Sequence, residues 1–252
     1  MPIHFARRLT GHQRSLEANR HLGVALAGIA GAINAGGFLA VQQYTSHMTG
    51  IVSSMADHLV LGRYAPVLAG VGAILSFLAG AACTALMVSA ARRRRMHSEY
   101  ALPLLLEALL LLGFGLLGAR LSAIDGLFVP ATVMLLCFIM GLQNALITKL
   151  SRAEIRTTHL TGTITDIGIE LGKLAYRKLA PAAADAIVPN RERLRIHCLL
   201  VLSFFAGGVL GALGFAHVGY LSTVPLALVL SVLAIVPAMD DLARLQRRLA
   251  RK

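Results

Sequence analysis

Residues 31–50 read GAINAGGFLAVQQYTSHMTG, and residues 141–162 read GLQNALITKLSRAEIRTTHLTG; the second stretch repeats the first. Gly31 and Asn34 fall on Gly141 and Asn144 at an offset of 110. Thr45, His47, Thr49 and Gly50 fall on Thr157, His159, Thr161 and Gly162 at an offset of 112. Further on, SFLAG at 76–80 matches SFFAG at 203–207 at an offset of 127, which gives the second copy 15 extra residues before that block. Three matched blocks in the same order imply a duplicated unit of about half the chain. In an apolar protein, such a unit points to a transporter or channel built from two repeats.

The composition is that of a membrane protein. Hydrophobic residues make up 56% and charged residues 14% of the chain, with mean hydropathy +0.70. Stretches free of charge at 22–41, 64–91, 127–148 and 196–216 are long enough to cross about 30 Å of hydrocarbon. Two more, 101–119 (interrupted by Glu107) and 221–239, are slightly less clean. The net charge of +12 does not indicate nucleic acid, because the cations sit in loops and tails between apolar spans and no RNA- or DNA-binding motif accompanies them. Cys83, Cys137 and Cys198 lie inside apolar spans without metal-type spacing and read as packing residues. The first span carries the first copy of the repeat, so it is expected to remain in the mature protein.

The segments 45–62 and 157–178 decide the topology. Each opens with a Thr/His/Thr/Gly cluster, is only moderately apolar and contains an acid. A helix from Thr49 to Leu61 is about 20 Å long, too short to cross. With both segments re-entrant and the N-terminus cytoplasmic, 22 of the 24 lysines and arginines lie inside, leaving Arg63 and Arg120 outside. With both crossing fully, seven move or remain outside. The positive-inside rule favours the first arrangement. Tyr44, Tyr64, Tyr100, Tyr176 and Tyr220 fall at the resulting span ends, where an amphipathic ring suits the headgroup level.

The expected fold is therefore all-α and polytopic: two inverted repeats, each of three transmembrane helices plus one re-entrant or broken half-helix. An odd number of crossings per copy turns the second copy upside down. The repeats cover 22–120 and 121–239, with a cytoplasmic loop at about 177–195. A basic amphipathic segment at 1–21 (Phe5, Leu9, His12 and Leu16 on one face) precedes them, and a basic tail at 240–252 follows. Each terminal segment is either a helix lying on an anionic leaflet or a solvated tail. The expected location is the bacterial inner membrane, with both termini cytoplasmic.

The candidate site follows from the half-helices. A helix starting near the midplane has unpaired N–H groups that must find partners there. Hydroxyls can cap them, and glycine permits close approach. Two such starts meeting from opposite copies make an electropositive centre suited to an anion or a polar solute. The substrate-binding candidates are Asn34, Thr45, His47, Thr49, Gly50, Asn144, Thr157, His159, Thr161, Gly162 and Asp166. The competing reading makes the same residues helix caps and close-packing groups only. His47 and His159 are either a proton-responsive pair or packing residues. Asn34 and Asn144, with Gln143 nearby, contact either solute or freed backbone. Asp57 lies about 12 Å beyond Thr49 and is expected to be solvated, whereas Asp166 lies about 7–8 Å beyond Thr161 and is the deeper acid. Glu170 and Lys173 are spaced for a helix pair. Glu107 is the proton-coupling candidate, unless its carboxyl snorkels toward Arg92–Arg95. No catalytic residue, metal site or cofactor is expected.

On these residues the chain resembles the YoaK-like family of bacterial inner-membrane proteins, whose function is unknown. The resemblance covers roughly 22–240 and is carried best by GLQNA at 141–145 and TTHLTGTITDIG at 157–168. The first copy departs from the family pattern, with Asn34 where members commonly have Asp and Ile51 where they often have Asn. What the resemblance implies is a multi-pass membrane protein, with no agreed substrate.

The leading functional expectation is a small-solute permease or channel, with the lipid bilayer as its surroundings and a small anionic or polar solute as its ligand. A membrane-embedded enzyme would need an asymmetric nucleophile/base or metal constellation, whereas the polar residues here are largely mirrored between copies. A structural or signalling membrane protein without flux is the other alternative. Nucleic acid is not expected as a partner, and self-association of the chain is left open.

Overall fold

The computed structural model describes residues 16–94, 96, 99–121, 128–151, 155–179 and 188–249. Regular structure among them is helical throughout, with no strand. The helices are α1 (Leu16–Val41), α2 (Met48–Val60), α3 (Tyr64–Arg93), α4 (Ala101–Leu121), α5 (Phe128–Leu150), α6 (Leu160–Leu179), α7 (Arg191–Val218) and α8 (Thr223–Leu249), with a 3-10 turn at Gly219–Ser222. Most of the basic N-terminal segment, Phe5, Leu9 and His12 included, lies outside the described residues. The loop expected at about 177–195 is shorter than the composition suggests, because α6 continues to Leu179 and α7 begins at Arg191.

Four helical stretches have the length and hydropathy of a membrane span: Asn19–Val41, Tyr64–Arg93, Pro130–Leu150 and Arg191–Ile235. The last, of 45 residues, runs through α7, the 3-10 turn and the first part of α8. A shorter apolar helix covers Ala101–Leu116. α1 and α5 form the inner pair, each with 61% of its apolar window buried, against 22% for α3 and 6% for the α7–α8 stretch. The outer helices point Leu68, Leu75, Leu86, Leu202, Phe205 and Leu210 outward. Apolar side chains arrayed outward on this scale require a lipid surrounding.

Without a hydrophobic drive between helices in lipid, small residues and hydroxyls select the pairings. The closest-packed pairs are α1 with α7, α3 with α5, and α4 with α8. Each joins an early helix to a late one. Ser76 Oγ donates to the Met134 carbonyl at 2.6 Å, and Ser203 Oγ to the Val24 carbonyl at 2.7 Å. A β-carbon on Gly80 would overlap the Phe138 carbonyl, and one on Gly207 the Gly28 carbonyl. All of these contacts recur at the 110 and 127 offsets of the matched sequence blocks.

These contacts also fix helix directions. Along α3 and α5, Ser76 meets Met134 and Thr84 meets Leu142, so the two run parallel. Along α1 and α7, Val24 meets Ser203 while Gly36 meets Phe215, again parallel. Along α1 and α5, Asn19 meets Leu150 and Leu26 meets Gln143, which makes them antiparallel.

Two left-handed glycines shape the connections. Gly62 (φ +69°) follows α2, where the amides of Gly62 and Arg63 reach back to Leu59 and His58. Gly219 (φ +66°) ends α7. Glycine adopts this conformation without the steric penalty of a β-carbon.

The tyrosines occupy element ends as the sequence suggests. Tyr44, Tyr64 and Tyr176 are exposed. Tyr100 and Tyr220 are packed inward instead, the latter edge-on to Phe114 and Phe215.

Candidate functional site

The two Thr-Gly clusters fold alike. Each begins with an asparagine near the end of an inner helix. Asn34 Oδ1 accepts hydrogen bonds from Ser46 Oγ (2.8 Å) and the Ser46 amide (3.3 Å). Asn144 Oδ1 accepts from Thr158 Oγ1 (2.6 Å), while its Nδ2 donates to the Met140 carbonyl (2.8 Å). The asparagines tie down the chain that doubles back toward the short helix. Ser46 and Thr158 were not among the sequence candidates, although both carry a hydroxyl at the same repeat position.

A histidine stands immediately before each of α2 and α6. The carbonyls of His47 and His159 accept from the amides of Ile51 and Thr163, both at 3.1 Å. Each imidazole folds over the first turn. A β-carbon on Gly50 would lie 2.7 Å from His47 Nδ1, and one on Gly162 2.9 Å from His159 Nδ1. The glycine three residues on therefore leaves room for the ring, which gives the His-x-x-Gly spacing a steric reason.

Thr45 and Thr157 are buried, and neither hydroxyl has a hydrogen-bond partner. A hydroxyl removed from water without a partner costs free energy, about 1–3 kcal/mol. By contrast, His47, Thr49, His159 and Thr161 are exposed on the protein surface.

The two clusters lie apart. The antiparallel register of α1 and α5 puts Asn34 level with about residue 135 of α5, roughly 13 Å along the axis from Asn144. α2 and α6 do not form a packed pair; each packs on the helix that follows it, α3 or α7. The helix starts expected to meet thus stand on opposite sides of the middle of α1 and α5. They also differ in length, α2 having 13 residues and α6 20.

The second cluster opens into a cavity of about 770 Å³ whose lining includes His159, Gly162, Asp166, Arg156, Arg193 and His197. Asp166 pairs with Arg193 Nη2 at 3.0 Å, and His197 Nδ1 lies 3.9 Å from the same carboxylate. Arg20, from the start of α1, also lines the cavity and pairs with Glu192. The arginines and His197 escaped the sequence reading, since nothing local connects α6 to the start of α7.

Below the cavity, Glu170 accepts from Lys173 Nζ (2.8 Å) and from the Asn190 amide (2.7 Å). These two bonds, Lys173 first, hold its carboxyl below the usual range. Asn190 Oδ1 in turn caps α7 through the Arg193 amide at 2.9 Å.

The remaining candidates separate cleanly. Asp57 is exposed. Gln143 donates to the Leu26 carbonyl at 3.3 Å rather than joining Asn144. Glu107 is fully buried, with no hydrogen-bond partner on either oxygen, so it does not snorkel. Arg92 pairs instead with Glu99 at 2.6 Å.

Apolar helices with outward-facing leucines, joined through glycine contacts and side-chain bonds to backbone carbonyls, define an integral multi-pass membrane protein. The chain belongs to the family described as protein of unknown function DUF1275, whose model matches residues 22–236. It is also similar to the UPF0700 transmembrane protein YoaK of Bacillus subtilis (strain 168), with 26% identity over 211 residues, 81% of this chain and 88% of the relative. No solved structure matches the chain. The resemblance carried by GLQNA and TTHLTGTITDIG thus holds over most of the sequence.

Proposed function

We propose that the protein is a small-solute permease or channel of the bacterial inner membrane, built from two inverted repeats and cytoplasmic at both termini. The observation that carries this reading is the pair of buried, unpartnered hydroxyls of Thr45 and Thr157, one at each half-helix start. Buried polar groups in a membrane protein mark a route for something polar.

The helix directions support the inverted arrangement. Because α1 runs against α5, and α5 runs with α3, the segment 42–63 leaves and re-enters the same face of the bundle. The same reasoning starts α7 on the face where α5 ends, opposite to the first, since α7 runs with α1. Each segment is then re-entrant, and α4 and α8 complete three crossings per copy. The solute path runs past Asn34, Thr45, His47, Thr49 and Gly50 on one side. On the other it runs past Asn144, Thr157, His159, Thr161, Gly162 and Asp166.

The test is flux in proteoliposomes. Candidate solutes should move with wild-type protein and lose most of that flux with Thr45→Val and Thr157→Val, with folding intact. Absence of flux for every solute, together with capture of a specific protein partner, would replace transport by a structural or signalling role.

A further inference from the structure

The cavity at the start of α6 has no charged counterpart at the start of α2. At the offsets of the matched blocks, Arg156, Asp166, Arg193 and His197 correspond to Tyr44, Ser54, Pro66 and Gly70. One half-helix start is lined by charge and the other is not.

The charge in the cavity is also unbalanced. Asp166 is held by Arg193, and Glu192 by Arg20, so both carboxylates already have a cation. Arg156 makes no ion pair among the described residues. It stands beside the first turn of α6, where unpaired N–H groups and the helix dipole add positive potential. A second, independent sign comes from His197, which lines the same cavity. It is 6% exposed, and its Nδ1 has no hydrogen-bond partner. The 3.9 Å to Asp166 is too long for a hydrogen bond. A ring nitrogen buried this way calls for a ligand atom.

We infer that this cavity binds a small oxyanion, a phosphate or a carboxylate group, between Arg156, the first turn of α6 and His197. At about 770 Å³ the cavity has the volume of a small-molecule site. Arg193 stays paired with Asp166, which neutralises the carboxylate and keeps it from repelling the ligand. The same chemistry is offered by a soluble anion and by the headgroup of an anionic lipid. The inference rests on the permease reading only in taking the bound anion as the transported solute; binding itself stands or falls separately.

The experiment uses the full chain in phosphatidylcholine nanodiscs, its thermal unfolding followed against inorganic phosphate and against succinate. A saturable rise in Tm is expected for at least one of them. Arg156→Gln should weaken that binding by about tenfold or more, the scale of one charge-assisted hydrogen bond, and Arg156→Lys should restore most of it. Thr165→Glu, which puts a carboxylate in the cavity without touching Arg156, should abolish it. Arg63→Gln, at the other face, should change nothing. A rise seen only in discs containing phosphatidylglycerol, and lost in Arg156→Gln, assigns the site to a lipid headgroup. No saturable effect in either disc, or a saturable effect left at the wild-type level in both Arg156→Gln and Thr165→Glu, overturns the inference. Flux of a neutral solute that is indifferent to Arg156→Gln overturns the anion as solute and leaves the permease. Anion binding without any flux leaves the site and removes the permease.

Discussion

Gly141 lies so close to Phe77 that a β-carbon on it would fall 2.8 Å from the phenylalanine's carbonyl carbon, and Gly31 stands in the same relation to Phe204. The obstructing atoms are backbone, so neither side can yield by turning a rotamer. Gly141→Ala and Gly31→Ala should each destabilise the protein by about 1–3 kcal/mol, the scale of overpacking. Gly168→Ala is the control: nothing lies within 4 Å of its would-be β-carbon. It should be neutral or stabilising by up to about 1 kcal/mol. Reversible unfolding in mixed micelles measures all three. Equal effects would show that the glycines matter for helix propensity and not for approach.

The same contacts separate what the sequence reveals from what it hides. The matched blocks are legible because the same small residues recur, and they prove to pack crosswise: Gly31 on Phe204, Gly141 on Phe77. The partner choice behind this is hidden, because helices that are apolar all round show no face by periodicity. The Thr/His/Thr/Gly clusters stand out as polar islands in an apolar chain. Their anchors, Ser46 to Asn34 and Thr158 to Asn144, follow only once the chain doubles back. The cavity around Asp166 is least legible, since Arg193 lies 27 residues away on another helix. Composition also misjudges the end of α6, which continues through Arg177 and Lys178 to Leu179.

Labelling should divide Leu61 from Arg94. Both are exposed, at the two ends of α3. In a protein with Cys83, Cys137 and Cys198 replaced, a cysteine at 61 should react with an impermeant reagent applied outside intact cells. One at 94 should react only after permeabilisation. Reaction of both from the same side would remove the inverted arrangement.

The stacking of His159 on Gly162 can be tested apart from stability. Gly162→Ala crowds the imidazole, which is the far end of a side chain and can swing away. The cost in stability should stay below about 1 kcal/mol, while on the proposed solute path flux should fall because the ring moves into it. His159→Ala in the same protein should relieve the crowding and return unfolding to the wild-type temperature. If Gly162→Ala unfolds the protein and His159→Ala does not rescue it, the glycine serves backbone packing instead.

Glu170 gives a signed pH dependence. Lys173 and the Asn190 amide favour its ionised form, so its folded pKa lies below the unfolded value of about 4.3. The stabilisation is therefore fully present above that unfolded value and is lost as pH falls through the folded one. Glu170→Gln removes the titration. The stability gap between wild type and Glu170→Gln should be flat from pH 7 to about 5 and shrink below about 4. A gap that widens in acid would mean that the carboxyl binds its proton more tightly when folded.

Glu107 separates proton coupling from packing. Its carboxyl is buried in α4 with neither oxygen bonded, an arrangement that costs stability whatever the group's role. Glu107→Leu should raise stability by about 1–3 kcal/mol, since it removes unsatisfied polar atoms without opening a large void. Glu107→Gln keeps the shape but cannot carry a proton. If the residue couples transport, a pH gradient should drive solute uptake in wild-type proteoliposomes and fail to do so in Glu107→Gln, while downhill exchange survives. Uptake that follows the gradient equally well in Glu107→Gln would exclude proton carriage at this position. A loss of stability in Glu107→Leu would then mark the carboxyl as bonded within the bundle.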